Sequence, residues 1–107
     1  MARALITMPP SARKGDVIEI RALIGHGMET GYRPGADGQI LKRDILRRFV
    51  CRYNGEQVFA AELYPAIAAN PYLAFFTVAT GSGTLTFTWE GDNGFAQTET
   101  MALMVTP

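Results

Sequence analysis

The chain has 107 residues, 48% of them hydrophobic, and its 10 basic and 10 acidic side chains cancel. That is the size of one ordinary domain, here spanning residues 1–107, with enough apolar side chains for a core that needs no disulfide or metal. The neutral total gives no global field for nucleic acid or anionic lipid, and lone Cys51 and lone His26 exclude an internal disulfide and any multi-cysteine or multi-histidine metal set.

Charge is unevenly distributed along the sequence. All 10 basic residues fall between Arg3 and Arg52, and the chain beyond Arg52 carries only acidic ones. Strands from both segments interleave in a sandwich, so this need not be a dipole in space. The amino terminus has no apolar core of signal-peptide length, because Pro9 and Pro10 break its small apolar group. On sequence alone the expected compartment is the cytoplasm.

In chain order, Arg3 to Thr7 reads as an edge strand ended by Met8, Pro9 and Pro10, and Ser11 to Asp16 as a turn. From Asp16 to Ile24 the residues Ile18, Ile20, Ala22 and Ile24 share one face, the period of a half-buried strand. Gly25 to Gln39 is too glycine-rich for a regular element and reads as a long loop, a common place for function in a small domain. Asn54-Gly55 between two β-rich runs signals a two-residue hairpin, making Ile45–Tyr53 and Glu56–Leu63 antiparallel neighbours. Phe49, Cys51 and Tyr53 then share one face, with Arg48, Val50 and Arg52 on the other.

Pro65 can start one turn at most, since Asn70-Pro71 must end it. Tyr72–Ala79 and Thr84–Trp89 read as strands, the second with Leu85, Phe87 and Trp89 inward and its threonines outward. The segment Gly91 to Gly94 closes a last hairpin onto Phe95–Val105. About seven strands with regular turn signals predict an all-β fold, an immunoglobulin-like antiparallel β-sandwich. The stretch from Leu63 to Trp89 carries no charged side chain, yet its prolines and glycines leave no membrane span. Its inner faces are expected in the core and an outer face against a partner protein.

Chemistry-bearing groups are sparse. His26, Met28 and Glu29 could form part of a copper or iron site, or His26 could be a loop histidine bonded to backbone or to a partner. Cys51, between aromatic neighbours and without a local base, reads as a buried inert thiol. Lys42, Arg43, Arg47, Arg48 and Arg52 admit three readings: a solvated strand face, a protein contact or a nucleic-acid patch. The glycine-rich segments lack the spacing of a phosphate cradle. No catalytic constellation emerges, and a binding or structural subunit is expected rather than an enzyme.

The segments His26-Gly27-Met28-Glu29-Thr30-Gly31-Tyr32-Arg33, Ala36-Asp37-Gly38, Arg48-Phe49-Val50-Cys51, Asn54-Gly55 and Ala69-Asn70-Pro71-Tyr72 follow one another in an order that resembles the SoxZ family over essentially the whole chain. Members often carry proline in the segment matched by Leu41, Lys42 and Arg43, which has none here. The resemblance implies a non-catalytic subunit, without cofactor or metal, of the SoxYZ sulfur-carrier heterodimer of thiosulfate oxidation. It further implies a partner, SoxY, whose mobile Gly-Gly-Cys-Gly-Gly tail carries the sulfur, transient contact with other Sox enzymes, and a periplasmic location reached by co-export with SoxY. Partner-binding candidates are His26, Met28, Glu29 and Arg33 in the loop, with Asn70, Tyr72 and Phe75 in the uncharged stretch. The alternatives are a stand-alone binding module and a metal protein of the superoxide-reductase kind, whose sites need several histidines.

Overall fold

Alternating apolar residues and short turns give eight strands in the computed structural model, which describes residues 2–65 and 67–107. They are β1 (Ala4–Thr7), β2 (Ser11–Arg13), β3 (Val17–Ile24), β4 (Leu46–Tyr53), β5 (Glu56–Glu62), β6 (Tyr72–Val78), β7 (Gly83–Gly91) and β8 (Ala96–Thr106). A three-stranded sheet has the order β1-β3-β6 and a five-stranded sheet the order β2-β8-β7-β4-β5. The fold is all-β and immunoglobulin-like, as the sequence led us to expect. Among the described residues no α-helix forms, and the only helical piece is a three-residue 3-10 turn, Asp92–Gly94.

The eighth strand is a correction. Ser11 to Arg13, expected as turn, pairs in parallel with Met104 to Thr106, and only Lys14-Gly15 turns. Its cause is the pair Pro9-Pro10, which ends β1 in one sheet; the Pro10 carbonyl then accepts the Met104 N–H at 3.0 Å and starts the chain along the other.

The core follows the predicted faces. Ile18, Ile20, Ala22 and Ile24 of β3 are buried against Phe49, Cys51 and Tyr53 of β4 and Leu85, Phe87 and Trp89 of β7. Phe49 lies at its centre, with ring centroids of Phe59, Phe75, Phe87 and Trp89 between 5.2 and 6.4 Å away. Val50 departs from the expected pattern: it lies between Thr88 and Ala60 in register and is buried although its face also carries Arg48 and Arg52.

The hairpin at Asn54-Gly55 forms as expected, with φ of 50° and 84°. Asn54 does more than turn the chain, because its Oδ1 accepts the Thr84 N–H at 2.9 Å and its Nδ2 donates to the Ser82 carbonyl at 3.4 Å. One side chain thus joins the β4–β5 turn to the start of β7. Asn54→Ala loses the left-handed preference and both bonds, and we expect a loss of about 1–2 kcal/mol in urea unfolding.

Candidate partner-binding site

The outer face of the three-stranded sheet is apolar where a solvated sheet face is ordinarily polar. β6 alternates so that Phe75 points inward and Tyr72, Ala74, Phe76 and Val78 point out. Cross-strand register sets Leu5, Leu23 and Tyr72 in one row and Val17 beside Val78 at the other end. Tyr72 is 56% and Phe76 64% exposed, and Leu5, Val17 and Val78 are exposed as well. Among the described residues the one ion pair on this face, Arg21 to Glu19 at 2.9 Å, joins neighbours on a single strand. The five-stranded sheet shows the opposite character. Its outer face carries Thr84, Thr86 and Thr88 beside Thr98 and Thr100, and Arg48 flanked in register by Glu62 and Glu90.

The long loop meets the apolar face at its base. A groove lined by Arg3, Leu5, Leu23, Gly25 and Asn70 runs from the sheet to Gly25, where β3 hands the chain to the loop. There His26 and Asn70 clasp each other: the His26 N–H donates to Asn70 Oδ1 at 3.0 Å, and the Asn70 N–H donates to the His26 carbonyl at 2.7 Å. Asn70 holds this position at φ 55°, a region asparagine tolerates. The imidazole is largely covered; its Nδ1 accepts the Met28 N–H at 3.0 Å, its ring meets Phe95 edge-on at 5.4 Å, and Nε2 faces Asp44 Oδ1 at 3.7 Å.

The candidate residues therefore divide. His26, Met28, Glu29, Arg33 and Asn70 gather at one end of the sandwich, and Tyr72 continues from them onto the apolar face. Besides the covered His26 imidazole, two more do not point outward. Phe75 is 5% exposed because it opposes Ile20 in register and stacks on Phe59 at 4.3 Å, which leaves Phe76 as the outward phenylalanine of β6. Met28, also 5% exposed, turns its Sδ inward, where it accepts the Leu46 N–H at 3.2 Å. The signal for Phe76 was in the alternation Tyr72, Ala74, Phe76, Val78, but adjacent Phe75 and Phe76 look alike until the register with β3 is fixed.

Of the donors in the metal reading, His26 Nδ1 accepts the Met28 N–H, Met28 Sδ accepts the Leu46 N–H, and the Glu29 carboxylate is paired with Arg33. Arg33 holds Glu29 at 2.6 Å, and its hydrogen bond, with its charge, keeps the Glu29 carboxyl below its ordinary pKa against the effect of burial. Among the described residues no three histidine, cysteine or acidic side chains form a metal-ligand cluster. The basic group is likewise divided: Arg43 pairs with Asp92 at 2.8 Å and Arg48 with Glu62 at 3.4 Å, and a concavity lined by Arg47 and Arg48 also carries Glu62 and Glu90. Acidic groups thus lie among Arg43, Arg47 and Arg48.

Cys51 has no exposed surface, and burial pushes its thiol from 9.0 up to about 12. At pH 8 the thiolate is then about one part in ten thousand, and a disulfide reagent is expected to leave the native protein untouched and to titrate one thiol after guanidinium unfolding. Because the folded pKa lies above the unfolded one, the stability from this group is whole below about pH 9 and is lost as pH rises from 9 through 12.

Comparison with known proteins adds three findings. The family model described as "Sulphur oxidation protein SoxZ" matches residues 6–102. No curated protein matches the chain. Among solved structures, the superoxide reductase (neelaredoxin) from Ignicoccus hospitalis superposes with TM-score 0.71 at 14% identity, over 97% of this chain and 81% of that one. The sulfur carrier protein SoxY from Chlorobium limicola f thiosulfatophilum gives TM-score 0.68 at 11% identity, over 97% and 79%. At these identities the likeness is one of fold.

Proposed function

The chain belongs to the SoxZ family and has its role in the Sox system of sulfur oxidation, and from this we propose that it is the non-catalytic subunit of a SoxYZ heterodimer, covering its apolar sheet face with SoxY. The observation that carries the reading is the outer face built from Leu5, Val17, Tyr72, Phe76 and Val78, a contiguous apolar surface of the kind that marks an interaction site. Support also comes from the fold, since a SoxY has the same sandwich, and two like sandwiches can meet through equivalent faces about a pseudo-two-fold axis.

In this role the chain makes and breaks no bonds. It holds SoxY in a fixed orientation so that SoxY's C-terminal cysteine tail can reach the enzymes that load and clear it. Cys51, buried in mid-strand, cannot be that arm. The complex works in the periplasm, this subunit leaving the cytoplasm already folded on a SoxY that carries the export signal.

The test is to co-express the chain with the SoxY of the same genome, purify through a tag on this chain, and assay thiosulfate-dependent turnover with the remaining Sox enzymes. A one-to-one complex, and turnover that requires both subunits, is the expected result. A monomer that elutes alone, or full turnover with SoxY by itself, overturns the reading.

A further inference from the structure

The sheet face is too small to hold a stable dimer unaided. Three strands about 4.8 Å apart and seven residues at about 3.4 Å each project about 340 Å². Even doubled for side-chain relief, that falls short of the roughly 800 Å² per partner of a standard interface. More contact surface must come from beside it.

The loop after Gly25 supplies such a surface, because it is not slack chain but a two-stranded arm. Glu29 and Asp44 exchange backbone hydrogen bonds of 2.8 and 2.7 Å at its base. Further out, the Leu41 N–H donates to the Arg33 carbonyl at 2.8 Å and the Gly35 N–H to the Gln39 carbonyl at 2.6 Å. Gly31, at φ 90°, permits the close approach of the two sides, since a Cβ there would lie 3.0 Å from Arg43 Cβ. The base is pinned to the sandwich: Arg43 grips Asp92 with two hydrogen bonds of 2.8 and 3.0 Å, Asn93 Nδ2 donates to the Arg43 carbonyl at 3.2 Å, and Met28 is buried in the core. Burial raises the Asp92 carboxyl, but the bonds from Arg43 and the Ile45 N–H outweigh it and keep the group ionised to lower pH than usual.

Beyond that base the arm stands away from its own domain. Residues 32–40 are exposed apart from half-buried Gly35, and the hydrogen bonds of residues 32–41, among the described residues, all stay within the arm. The molecule is 60 Å long and 20 Å wide, whereas its longest strand, the 11-residue β8, covers only about 37 Å at about 3.4 Å per residue. An isolated two-stranded ribbon is marginal in water. This one also presents Tyr32, 84% exposed, and Ile40, 61% exposed, on a tip whose one charged residue between Pro34 and Leu41 is Asp37.

We infer that the arm from Glu29 to Asp44 is a preformed clasp that closes over the side of the same partner that covers the sheet face, seating Tyr32 and Ile40 on an apolar patch of that partner. Continuity selects this occupant: the groove from Leu5 and Leu23 runs into Gly25 at the foot of the arm, so the two surfaces are joined. Exposed Tyr32 and Ile40, on a tip whose one charge is the acidic Asp37, fit an apolar protein patch and not an anion. The inference rests on the heterodimer reading above.

Tyr32→Ala with Ile40→Ser tests it, because both side chains are exposed and the sandwich should fold unchanged. With SoxY immobilised, the double variant is expected to dissociate about tenfold or more faster than the parent chain, with little change in association rate and the same thermal midpoint when free. Amide exchange at Leu41 and Gly35 should slow on complex formation. If Phe76→Asp weakens the complex while the tip variant dissociates within about twofold of the parent, the clasp is wrong and the sheet-face reading stands. If the parent chain does not bind SoxY, both fall.

Discussion

Tyr72→Asp and Phe76→Asp are each expected to weaken the heterodimer by about 2–4 kcal/mol, about 30- to 1,000-fold in Kd, without unfolding the sandwich. Both rings lie on the outer side of β6, so the free chain loses only a modest strand preference. In the complex the same carboxylate must be stripped of water beside Leu5, Leu23 and Val78, and Arg21, which lines a concavity with Tyr72, already holds Glu19. Calorimetric titration with SoxY measures the loss, and circular dichroism of the free variant reports the fold. Thr100→Asp, on the outer face of the five-stranded sheet, is the control and should bind as the parent does. Unchanged affinity of the β6 variants with intact folding would show that SoxY does not cover this face.

Phe49→Ala has the largest expected effect on stability. Its ring is fully buried and shared among Phe59, Phe75, Phe87 and Trp89, which belong to three other strands in both sheets. Removing it deletes apolar burial and leaves a void that rigid strands cannot close, a loss of about 3–5 kcal/mol. For a domain of this size that lowers the thermal midpoint by about 15 °C or more. Scanning calorimetry at pH 7 decides it; a shift of a few degrees would mean that the neighbouring rings collapse into the space.

These two substitutions also mark what could be read from the residues alone. Phe49 was legible because alternation within one strand, anchored by the Asn54-Gly55 turn, assigns its face without knowledge of any other strand. The same holds for Ile18 to Ile24 and for Leu85, Phe87 and Trp89. Phe76 was not legible, because consecutive aromatic residues defeat a period of two and only pairing with β3, 55 positions away at Ile20↔Phe75, selects the inner one. The strand at Ser11 was hidden for a related reason: three residues carry no periodicity, and its partner lies at the far end of the chain. The site was half visible. His26, Asn70 and Tyr72 do come together, but that the glycine-rich loop is a ribbon, and that Met28 anchors it from within, depends on backbone pairing that loop composition does not encode.

The junction of β2 with β8 bears on how long the protein takes to fold. Ser11, Ala12 and Arg13 wait for Met104, Val105 and Thr106, and the Ala2 backbone is held by Gln97 through bonds of 3.0 and 2.8 Å. Ser11 and its partner Met104 stand 93 positions apart, so this edge closes only after the intervening strands have brought the two segments together. Pairings of such separation put folding in the millisecond-to-second range typical of sandwiches. Until β8 is in place, β2 has no strand to pair with and the edge of the five-stranded sheet stays open.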